Sequence, residues 1–201
     1  MIQSGLEALI LAEPQLTHYD TMVGDGDCGL CLKNGAEAII EEMKKDNEWS
    51  DPVQVVSRIA QTIETNMDGT SGALYAIFFN SMAFSLSNQA SQTSSSVTTA
   101  MWTKSLQYAI QSLGKYTPAR PGDRTLIDSL APFVQTMGES GDFLKATEAA
   151  RHGCEKTKSM EASLGRSVYV GGDNWKNCPD PGAYGVVSLL AGMGEAMSSG
   201  T

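Results

Sequence analysis

Three aspartates that lie within eight positions of one another are the residues of this chain with the clearest chemical potential. Asp20, Asp25 and Asp27 belong to the segment 19–29, where glycines separate the acidic positions and let the backbone fold tightly. Three carboxylates that face one another repel and raise each other's pKa, so a bound cation would stabilise them. Carboxylate oxygens suit Mg²⁺, which usually bridges to substrate phosphates. The segment therefore predicts a magnesium and phosphate site.

The same segment is also compatible, at the level of sequence, with structures that hold no magnesium. An Asp-Gly turn is a common break before a helix, and Asp25 or Asp27 could act as the N-cap residue. An EF-hand is a poor match, because no Glu stands where such a loop needs its last ligand. A zinc site is disfavoured, because Cys28 and Cys31 form a single closely spaced pair and a second pair is missing.

Three further breaks hold polar residues whose chemistry packing does not explain. Asp-Gly-Thr-Ser-Gly at 68–72 precedes an apolar helix, whose positive N-terminus is a natural place for phosphate oxygens, although an ordinary Thr/Ser cap explains the motif too. Pro-Gly-Asp-Arg-Thr at 121–125 opens another helix, with Arg124 as a surface cation or a phosphate contact. A loop-rich run within 164–183, with Gly-Arg, Gly-Gly-Asp and Asp-Pro-Gly-Ala motifs, could close over a ligand.

The elements that must position these residues are helices. Apolar residues recur at intervals of about 3.6 along almost the whole chain, and strand signals are nearly absent. Gly, Pro, Asp and Asn clusters divide the chain into eight predicted helices near 2–12, 29–45, 53–66, 72–87, 98–113, 125–137, 143–159 and 182–198. The polar segment 85–99 is predicted to be a helix end followed by a mobile loop. Short connections favour antiparallel neighbours, so we expect one all-α domain over residues 1–201.

Composition restricts the class of partner. The chain has 201 residues, 41% of them hydrophobic and 18% charged, which suits one globular domain with a core. A formal net charge of −9 would repel nucleic acid and anionic lipid headgroups, so neither partner is expected. Apolar stretches are far shorter than the roughly 20 residues of a membrane span, and we find no secretory signal. We therefore expect a cytoplasmic protein whose four cysteines are thiols.

The order of the glycine-containing motifs resembles one protein family. Val-Gly-Asp-Gly-Asp-Cys-Gly, Gly-Thr-Ser-Gly-Ala-Leu-Tyr, Pro-Gly-Asp-Arg-Thr, Gly-Arg and Asp-Pro-Gly-Ala follow one another as in the nucleotide-binding domain of dihydroxyacetone kinases, the L subunit in bacteria and the C-terminal domain in eukaryotes. The resemblance extends from about residue 5 to residue 195. It implies an eight-helix antiparallel barrel with an apolar interior, an ATP site at one end, and a magnesium-dependent, kinase-type phosphotransferase.

The resemblance also implies roles for individual residues. Asp20, Asp25 and Asp27 would hold two Mg²⁺ ions that bridge the phosphates of ATP or ADP. Arg166 would complete the catalytic set by contacting a phosphate. The other nucleotide-contacting positions would be Cys28, Gly29, Leu30 and Cys31 beside the phosphates, Thr70 and Ser71 as their cap, Thr125 and Leu126 at the adenine, and Asp180, Pro181 and Gly182 in a closing loop.

Three departures from the family pattern bear on function. In the kinases a different domain or subunit holds dihydroxyacetone, and nothing in this sequence matches that part, so a substrate-carrying partner is expected. Asp68 stands where the family usually has glycine, and its carboxylate would repel the phosphates of a nucleotide unless another cation accompanied it. Cys31 occupies a position where a hydroxyl residue is frequent.

These departures keep two other classes of function open, and both still use a small ligand. A terpene cyclase would use the aspartates with Mg²⁺ to remove an allylic diphosphate, which Arg124 or Arg166 would hold. Its pocket would need an apolar stripe that plain core packing explains better, namely Tyr75, Phe78, Phe79 and Met82. The other class is a non-catalytic sensor of a nucleotide or a lipid. His18 and His152 belong to no recognisable triad and are interpreted as structural or surface residues.

Overall fold

The computed structural model of the chain describes residues 1–45, 49–92, 96–169 and 175–200, and within these ranges it is helical, without a strand. The prediction of an all-α fold is therefore confirmed. The helices of the described ranges are α1 (Ile2–Leu11), α2 (Glu13–Val23), α3 (Cys28–Lys45), α4 (Pro52–Asn66), α5 (Gly69–Ser91), α6 (Thr99–Leu113), α7 (Ile127–Ser140), α8 (Phe143–Thr157) and α9 (Pro181–Ser199), with a 3₁₀ turn at Arg166–Tyr169.

Eight of these helices close a ring in which each one packs against its neighbours. The order around the ring is α1, α3, α4, α5, α6, α7, α8 and α9, and α9 returns to α1. Helix α2 stands outside this ring and packs on α3 and α9. The eight-helix antiparallel barrel expected from the sequence is thus the observed architecture, with α2 as an addition at one end.

Helix α2 is the element that the sequence analysis missed. A single residue, Ala12, separates it from α1, so the two helices lack the usual break between them. Its buried positions are few, namely Leu16, Asp20 and Val23, because α2 presents only a narrow face to the barrel. A helix with so little apolar periodicity is hard to distinguish from a loop in the sequence.

Two predicted loops are partly outside the described ranges. Helix α5 continues to Ser91, so the polar segment 85–99 begins with a helix end as predicted, and the helix ends four residues later than the predicted position 87. Residues 93–95 of that segment lie outside the described residues. The Gly-Gly-Asp motif at 171–173, predicted to help close over a ligand, also lies outside them.

The barrel interior is filled by two clusters of apolar side chains. The larger cluster draws mainly on α5 to α9, and the smaller one on α1, α3 and α4. In the predicted apolar stripe of α5, Phe78 and Met82 are buried in the larger cluster, and Tyr75 and Phe79 pack against both clusters. The stripe therefore belongs to the core, as the packing interpretation predicted.

Two predictions from composition can be compared directly with the structure. None of the helices in the described ranges combines the length and the apolar character that a membrane crossing requires. All four cysteines are free thiols, as expected, and Cys154 and Cys178 are buried.

A glycine lets α7 and α8 approach closely, and its substitution tests this packing. A Cβ atom on Gly153 would collide with the backbone oxygen of Asp128, which cannot move without shifting α7. We expect Gly153→Ala to lower the free energy of unfolding by about 1–3 kcal/mol in urea titrations, the usual cost of overpacking. In the matched control Gly114→Ala, the new methyl group would meet its nearest atom at 3.5 Å. That variant should be as stable as the wild type or slightly more stable. Equal stability of the two variants would contradict the close packing of α7 on α8.

Candidate functional site

A cleft with a volume of about 680 Å³ opens at the end of the barrel where four helices begin. The first residues of α3, α5, α7 and α9, together with the connections that precede them, line this cleft. Free N–H groups and the positive end of the helix dipole face outward at every helix N-terminus. The convergence of four N-termini therefore makes the cleft suited to an anionic ligand.

The cleft collects the predicted site residues from distant parts of the sequence. Those that line it are Asp20, Asp25, Asp27, Cys28, Leu30, Cys31, Thr70, Ser71, Thr125, Leu126, Arg166, Asp180, Pro181 and Gly182. Gly29 is the exception, because this residue of α3 is buried on the side of the helix that packs against α2. A Cβ atom on Gly29 would collide with Thr17 Oγ1 and would lie 2.7 Å from the carbonyl oxygen of Glu13. Gly29 therefore permits the close contact of the two helices.

The three aspartates form a compact group with a mixed degree of burial. Asp20 lies in the last turn of α2 and is 7% exposed, whereas Asp25 and Asp27 are exposed in the connection to α3. Each can offer one carboxylate oxygen such that these oxygens all lie within 4.8 Å of one another. Carboxylates grouped in this way can hold a hard cation, and Mg²⁺ prefers carboxylates and water as ligands.

Asp20 links the aspartate group to the fold. Its Oδ2 accepts a hydrogen bond of 2.9 Å from the backbone N–H of Cys28, the first residue of α3. Asp20, rather than Asp25 or Asp27, thus supplies its carboxylate to the N-terminus of α3. A Cβ atom on Gly24 would collide with Asp20 Oδ1, so the glycine leaves room for this carboxylate.

The three aspartates repel one another, and the charge of Arg166 reduces this repulsion. Partial burial, followed by the charges of Asp25 and Asp20, raises the pKa of Asp27, and Arg166 opposes this rise. Arg166 lies in the 3₁₀ turn Arg166–Tyr169, and its Nη1 is 2.8 Å from Asp25 Oδ2. The guanidinium is largely exposed, so it can leave this ion pair at little cost.

The thiols beside the aspartates are neutral groups. Burial, and then the negative charge of Asp20, raises the pKa of Cys28 far above its ordinary range. Burial and Asp27 raise the pKa of Cys31, whose Sγ donates to the backbone oxygen of Asp68 at 3.5 Å. In the absence of a metal ion, both thiols therefore keep their proton beside the aspartates.

The N-terminus of α5 forms a second wall of the cleft. Asp68 precedes the helix but makes no side-chain capping hydrogen bond. Gly69 follows in a left-handed conformation, with φ of 69°, and Thr70 and Ser71 complete the first turn. The first N–H groups of α5 are thus not capped by the residue that usually caps them, and an exposed carboxylate stands beside them.

A buried aspartate begins α9 on the opposite side. Asp180 Oδ1 accepts a hydrogen bond of 2.8 Å from the N–H of Ala183, which caps the helix. The backbone N–H of Asp180 donates to Thr157 Oγ1 at 2.8 Å. Burial raises the pKa of Asp180 to about 7, although the Ala183 hydrogen bond and the charge of Arg124 act in the opposite direction. Asp180 therefore titrates near neutral pH.

Arg124 does not occupy the surface position that was one of its two predicted roles. It is 2% exposed and has a left-handed backbone conformation, with φ of 59°. Its Nη2 donates to the carbonyl oxygen of Cys178 at 2.9 Å, and its Nε donates to that of Thr157 at 3.2 Å. The side chain thus ties the connection before α7 to the segment before α9.

Sequence reasoning missed Asp128, which organises the connection before α7. Its Oδ1 accepts from the N–H of Gly122 at 2.6 Å, and its Oδ2 accepts from the N–H of Thr125 at 2.8 Å. Asp128 is buried and holds Arg124 and Thr125 at the cleft wall. A signal was available, because Thr-x-x-Asp is the spacing of a capping box. The lining residues Thr117, Pro118 and Ala119 were also missed, and they carry no comparable pattern.

The two histidines lie away from the cleft lining. His18 is exposed on α2, and His152 is exposed on α8, where its Nε2 is 3.1 Å from Glu148 Oε1. Neither contributes to the lining, as their interpretation as surface residues predicted.

Comparison with known proteins gives a consistent assignment. The family described as "DAK2 domain" matches residues 22–195. The chain is 43% identical over 98% of its length to a dihydroxyacetone kinase of Pichia angusta, 40% identical over 98% to dihydroxyacetone kinase 1 of Saccharomyces cerevisiae, and 32% identical over 95% to triokinase/FMN cyclase of Homo sapiens. It spans about a third of the length of each, namely 34%, 33% and 33%.

Solved structures share the fold. The crystal structure of the dihydroxyacetone kinase of C. freundii in its native form superposes with a TM-score of 0.79 at 22% identity and covers 97% of this chain and 33% of that one. The same enzyme in complex with AMP-PNP and Mg²⁺ gives a TM-score of 0.74 at 23% identity, with the same coverage of 97% and 33%. The family match and these relatives lend no support to the terpene cyclase or sensor alternatives.

The titration of Asp180 predicts a pH-dependent effect on stability. Its pKa is about 7 in the folded protein against an ordinary value of 3.8, so the folded state keeps a proton that the unfolded chain releases. Stability from this group therefore falls as pH rises between these two values and stays low above them. Asn keeps an acceptor for Ala183 without the charge. We expect Asp180→Asn to unfold at higher urea concentration than the wild type at pH 8, and the difference to vanish near pH 4.

A capping aspartate elsewhere provides the control for this measurement. Asp142 caps α8 by accepting from the N–H of Lys145 at 3.0 Å, but it is exposed. Asp142→Asn removes a charge without removing a burial cost, so it should not stabilise the protein at pH 8. A gain in Asp180→Asn that is the same at every pH would contradict the titration of a buried carboxyl.

Proposed function

Since the chain belongs to the DAK2 domain family, we propose that it binds ATP with Mg²⁺ in the cleft and serves as the nucleotide-binding part of a kinase of the dihydroxyacetone kinase type. One observation carries this proposal: a group of three aspartates and four helix N-termini share one cleft. Aspartates suit a hard cation, and N-termini suit phosphates. A magnesium-bound polyphosphate is the ligand that uses both.

The names of the relatives support the same ligand. Those at 43% and 40% identity are dihydroxyacetone kinases, and the C. freundii kinase of the same fold was crystallised with AMP-PNP and Mg²⁺. AMP-PNP is an analogue of ATP. We extend this ligand to the present chain because its cleft has the acidic and polar residues that such a ligand requires.

The aspartates are the proposed metal ligands. Asp20, Asp25 and Asp27 would hold Mg²⁺, in the form of two ions, since a single ion leaves much of the charge of three carboxylates and a triphosphate uncompensated. When bound, Mg²⁺ neutralises the phosphate oxygens and orients them for transfer. Asp20 is held by the N–H of Cys28, so one ligand is fixed before the cation arrives.

The remaining residues are proposed to bind the nucleotide. Arg166 would exchange its ion pair with Asp25 for a contact with phosphate oxygens, which its exposure allows. Thr70 and Ser71 would offer hydroxyl and amide groups from the uncapped N-terminus of α5. Cys28, Leu30 and Cys31 would run beside the phosphates, Thr125 and Leu126 would contact the adenine, and Asp180, Pro181 and Gly182 would close the pocket. Gly29 would contribute from behind them, by letting α3 pack closely on α2.

Transfer of the phosphoryl group needs no covalent chemistry from this chain. Positioning of the phosphates and neutralisation of their charge account for most of the catalysis in such reactions. The cleft offers both, because its donors are fixed by helix N-termini and its carboxylates are arranged for cations. No histidine contributes to the described lining.

The phosphoryl acceptor would come from a second domain or subunit. The chain spans about a third of the curated relatives that it matches, and residues 1–201 are proposed to form one domain of such an assembly. A separate substrate-carrying part would present the hydroxyl group at the mouth of the cleft, where Asp25 and Arg166 are exposed. The proposed acceptor is a small hydroxy ketone of the dihydroxyacetone type.

Calorimetric titration of ATP, with and without Mg²⁺, tests the metal assignment. We expect binding to require Mg²⁺ and to be lost in Asp25→Asn and in Asp27→Asn, because each removes a charged ligand. Asp27→Asn should also leave the protein as stable as the wild type or slightly more stable, since it removes a charge that Asp25 and Asp20 repel. Unchanged magnesium-dependent binding in both variants would overturn the assignment.

The control for that titration is an acidic residue on the same helix. Glu37 is exposed on α3 and does not line the cleft. Glu37→Gln changes the net charge by the same amount as the aspartate variants, so it should bind ATP like the wild type. A loss of binding in this control would attribute the effect to net charge rather than to the metal ligands.

Substitution of Asp68 is predicted to strengthen the binding of ATP, in contrast to substitution of Asp25 or Asp27. Its carboxylate is exposed in the cleft and caps nothing, so it adds repulsion toward phosphates without stabilising α5. We expect Asp68→Gly to tighten the binding of ATP with Mg²⁺ about threefold, the size of effect that one charge exerts across a solvated cleft. Asp68→Asn should produce a similar gain. Weaker binding in both variants would instead identify Asp68 as a further cation ligand.

A further inference from the structure

Arg124 is a buried cation of the cleft that has no role in the function proposed above. It lines the cleft, yet its guanidinium is withdrawn from solvent and donates to two backbone carbonyls of other segments. Burial of a charged side chain is unfavourable unless its interactions compensate. Hydrogen bonds from Nε and Nη2 compensate part of this cost, whereas Nη1 has no acceptor in the part of the chain that the structure describes.

Two chain segments meet at the side of the cleft next to Arg124. One is the start of α7 with Leu126, and the other is the start of α9 with Gly182. A Cβ atom on Gly182 would lie 3.2 Å from Leu126 Cβ, and Ser129 Oγ donates to the carbonyl oxygen of Ala183 at 3.1 Å. The separation of the segments fixes the width of the cleft on this side.

Arg124 holds these two segments together. Through Nη2 it binds the carbonyl oxygen of Cys178, two residues before Asp180. Through Nε it binds the carbonyl oxygen of Thr157, whose Oγ1 accepts from the backbone N–H of Asp180. Its guanidinium also lies 5.9 Å from the ring centroid of Trp175. Arg124 thus connects the start of α7 with the segment before α9 directly, through Cys178, and indirectly, through Thr157.

The backbone on both sides of this connection is in an unfavourable conformation. Arg124 and Asn177, with φ of 59° and 69°, are the non-glycine residues with positive φ in the described ranges. Arg124 donates the hydrogen bond to the carbonyl oxygen of Cys178, and Asn177 is the residue that precedes this acceptor. Such conformations persist where surrounding contacts fix them, and they concentrate at binding sites.

We propose that Arg124 is a positioning residue that sets the width of the cleft at the nucleoside side, and thereby its selectivity for a nucleotide over a bare polyphosphate. This inference rests on the proposed function, in which Leu126 contacts the adenine and Gly182 closes the pocket beside it. Arg124 acts through the segments that it joins, whereas the aspartates and Arg166 act on the phosphates. Loss of Arg124 loosens the nucleoside side and leaves the phosphate side intact.

The test compares two ligands that differ in the nucleoside. ATP and inorganic tripolyphosphate, each with Mg²⁺, are titrated calorimetrically into the wild type and Arg124→Lys. Lysine keeps the charge but has a single donor nitrogen, so it does not reproduce the planar arrangement in which Nε and Nη2 reach two different carbonyls. We expect ATP to bind about tenfold more weakly, the loss associated with a hydrogen bond from a charged donor, and tripolyphosphate to bind within about twofold of the wild type.

Two further variants support this comparison. Ser129→Ala removes the hydrogen bond from Ser129 Oγ to the carbonyl oxygen of Ala183, which is a second connection between the same segments. It should weaken the binding of ATP about threefold and leave the binding of tripolyphosphate unchanged. If circular dichroism shows that Arg124→Lys does not fold, the result for Ser129→Ala decides whether the contact between the two segments controls the affinity for ATP. Arg151→Lys changes an exposed arginine of α8 outside the cleft lining and should alter neither affinity.

Each outcome separates this inference from the proposed function. An unchanged ratio of the two affinities in both Arg124→Lys and Ser129→Ala overturns the positioning role and leaves the proposed function standing. An equal loss of both ligands in Arg124→Lys overturns it as well, because Arg124 Nη1, which has no acceptor among the described residues, would then contact phosphate. A wild-type protein that binds neither ligand overturns the proposed function and this inference together.

Discussion

The structure depends on the meeting of carboxylates and helix N-termini at one end of the barrel. Carboxylates crowded at a cleft repel one another, and N-termini left without acceptors are equally unfavourable. Here each compensates the other, since Asp20 accepts from the first N–H of α3 and Asp180 caps α9. Burial is the largest cause of the raised pKa of Asp27 and of Asp180, and the charges of neighbouring aspartates add to it. A bound cation would reduce the repulsion between the carboxylates, and an anionic ligand would accept hydrogen bonds from the helix N-termini.

Helix α2 shows how the site is attached to the fold. The ring of eight helices closes without it, and α2 packs on α3 and α9 from outside that ring. Its buried face is small, but it delivers Asp20 to the N-terminus of α3. Gly24 and Gly29 allow this contact, because a side chain at either position would collide with Asp20 or with α2. The helix with the weakest apolar pattern is thus the one that joins the barrel to its acidic group.

The arrangement divides the cleft into a charged side and a rigid side. The charged side holds the aspartates and Arg166, whose exposed ion pair can rearrange at little cost. The rigid side is built by buried polar groups, in which Asp128 fixes the connection before α7 and Arg124 ties it to the segment before α9. The proposed phosphoryl transfer would benefit from both, since phosphates must be neutralised as they react and the nucleoside must be held still.

The sequence by itself determined the helical class, because helix periodicity is a local signal. The glycine-bounded motifs are local too, and the family resemblance that they carry implied the barrel and nearly all of the predicted residues that line the cleft. Sequence reasoning missed α2, whose apolar face is too narrow to recognise, and it left Arg124 undecided between surface and phosphate. Only the tertiary structure decided that Arg124 is buried, that Asp20 rather than Asp25 or Asp27 serves the N-terminus of α3, and that Asp180 titrates near pH 7. These properties arise from contacts between segments far apart in the chain, and no local pattern encodes the burial that such contacts produce.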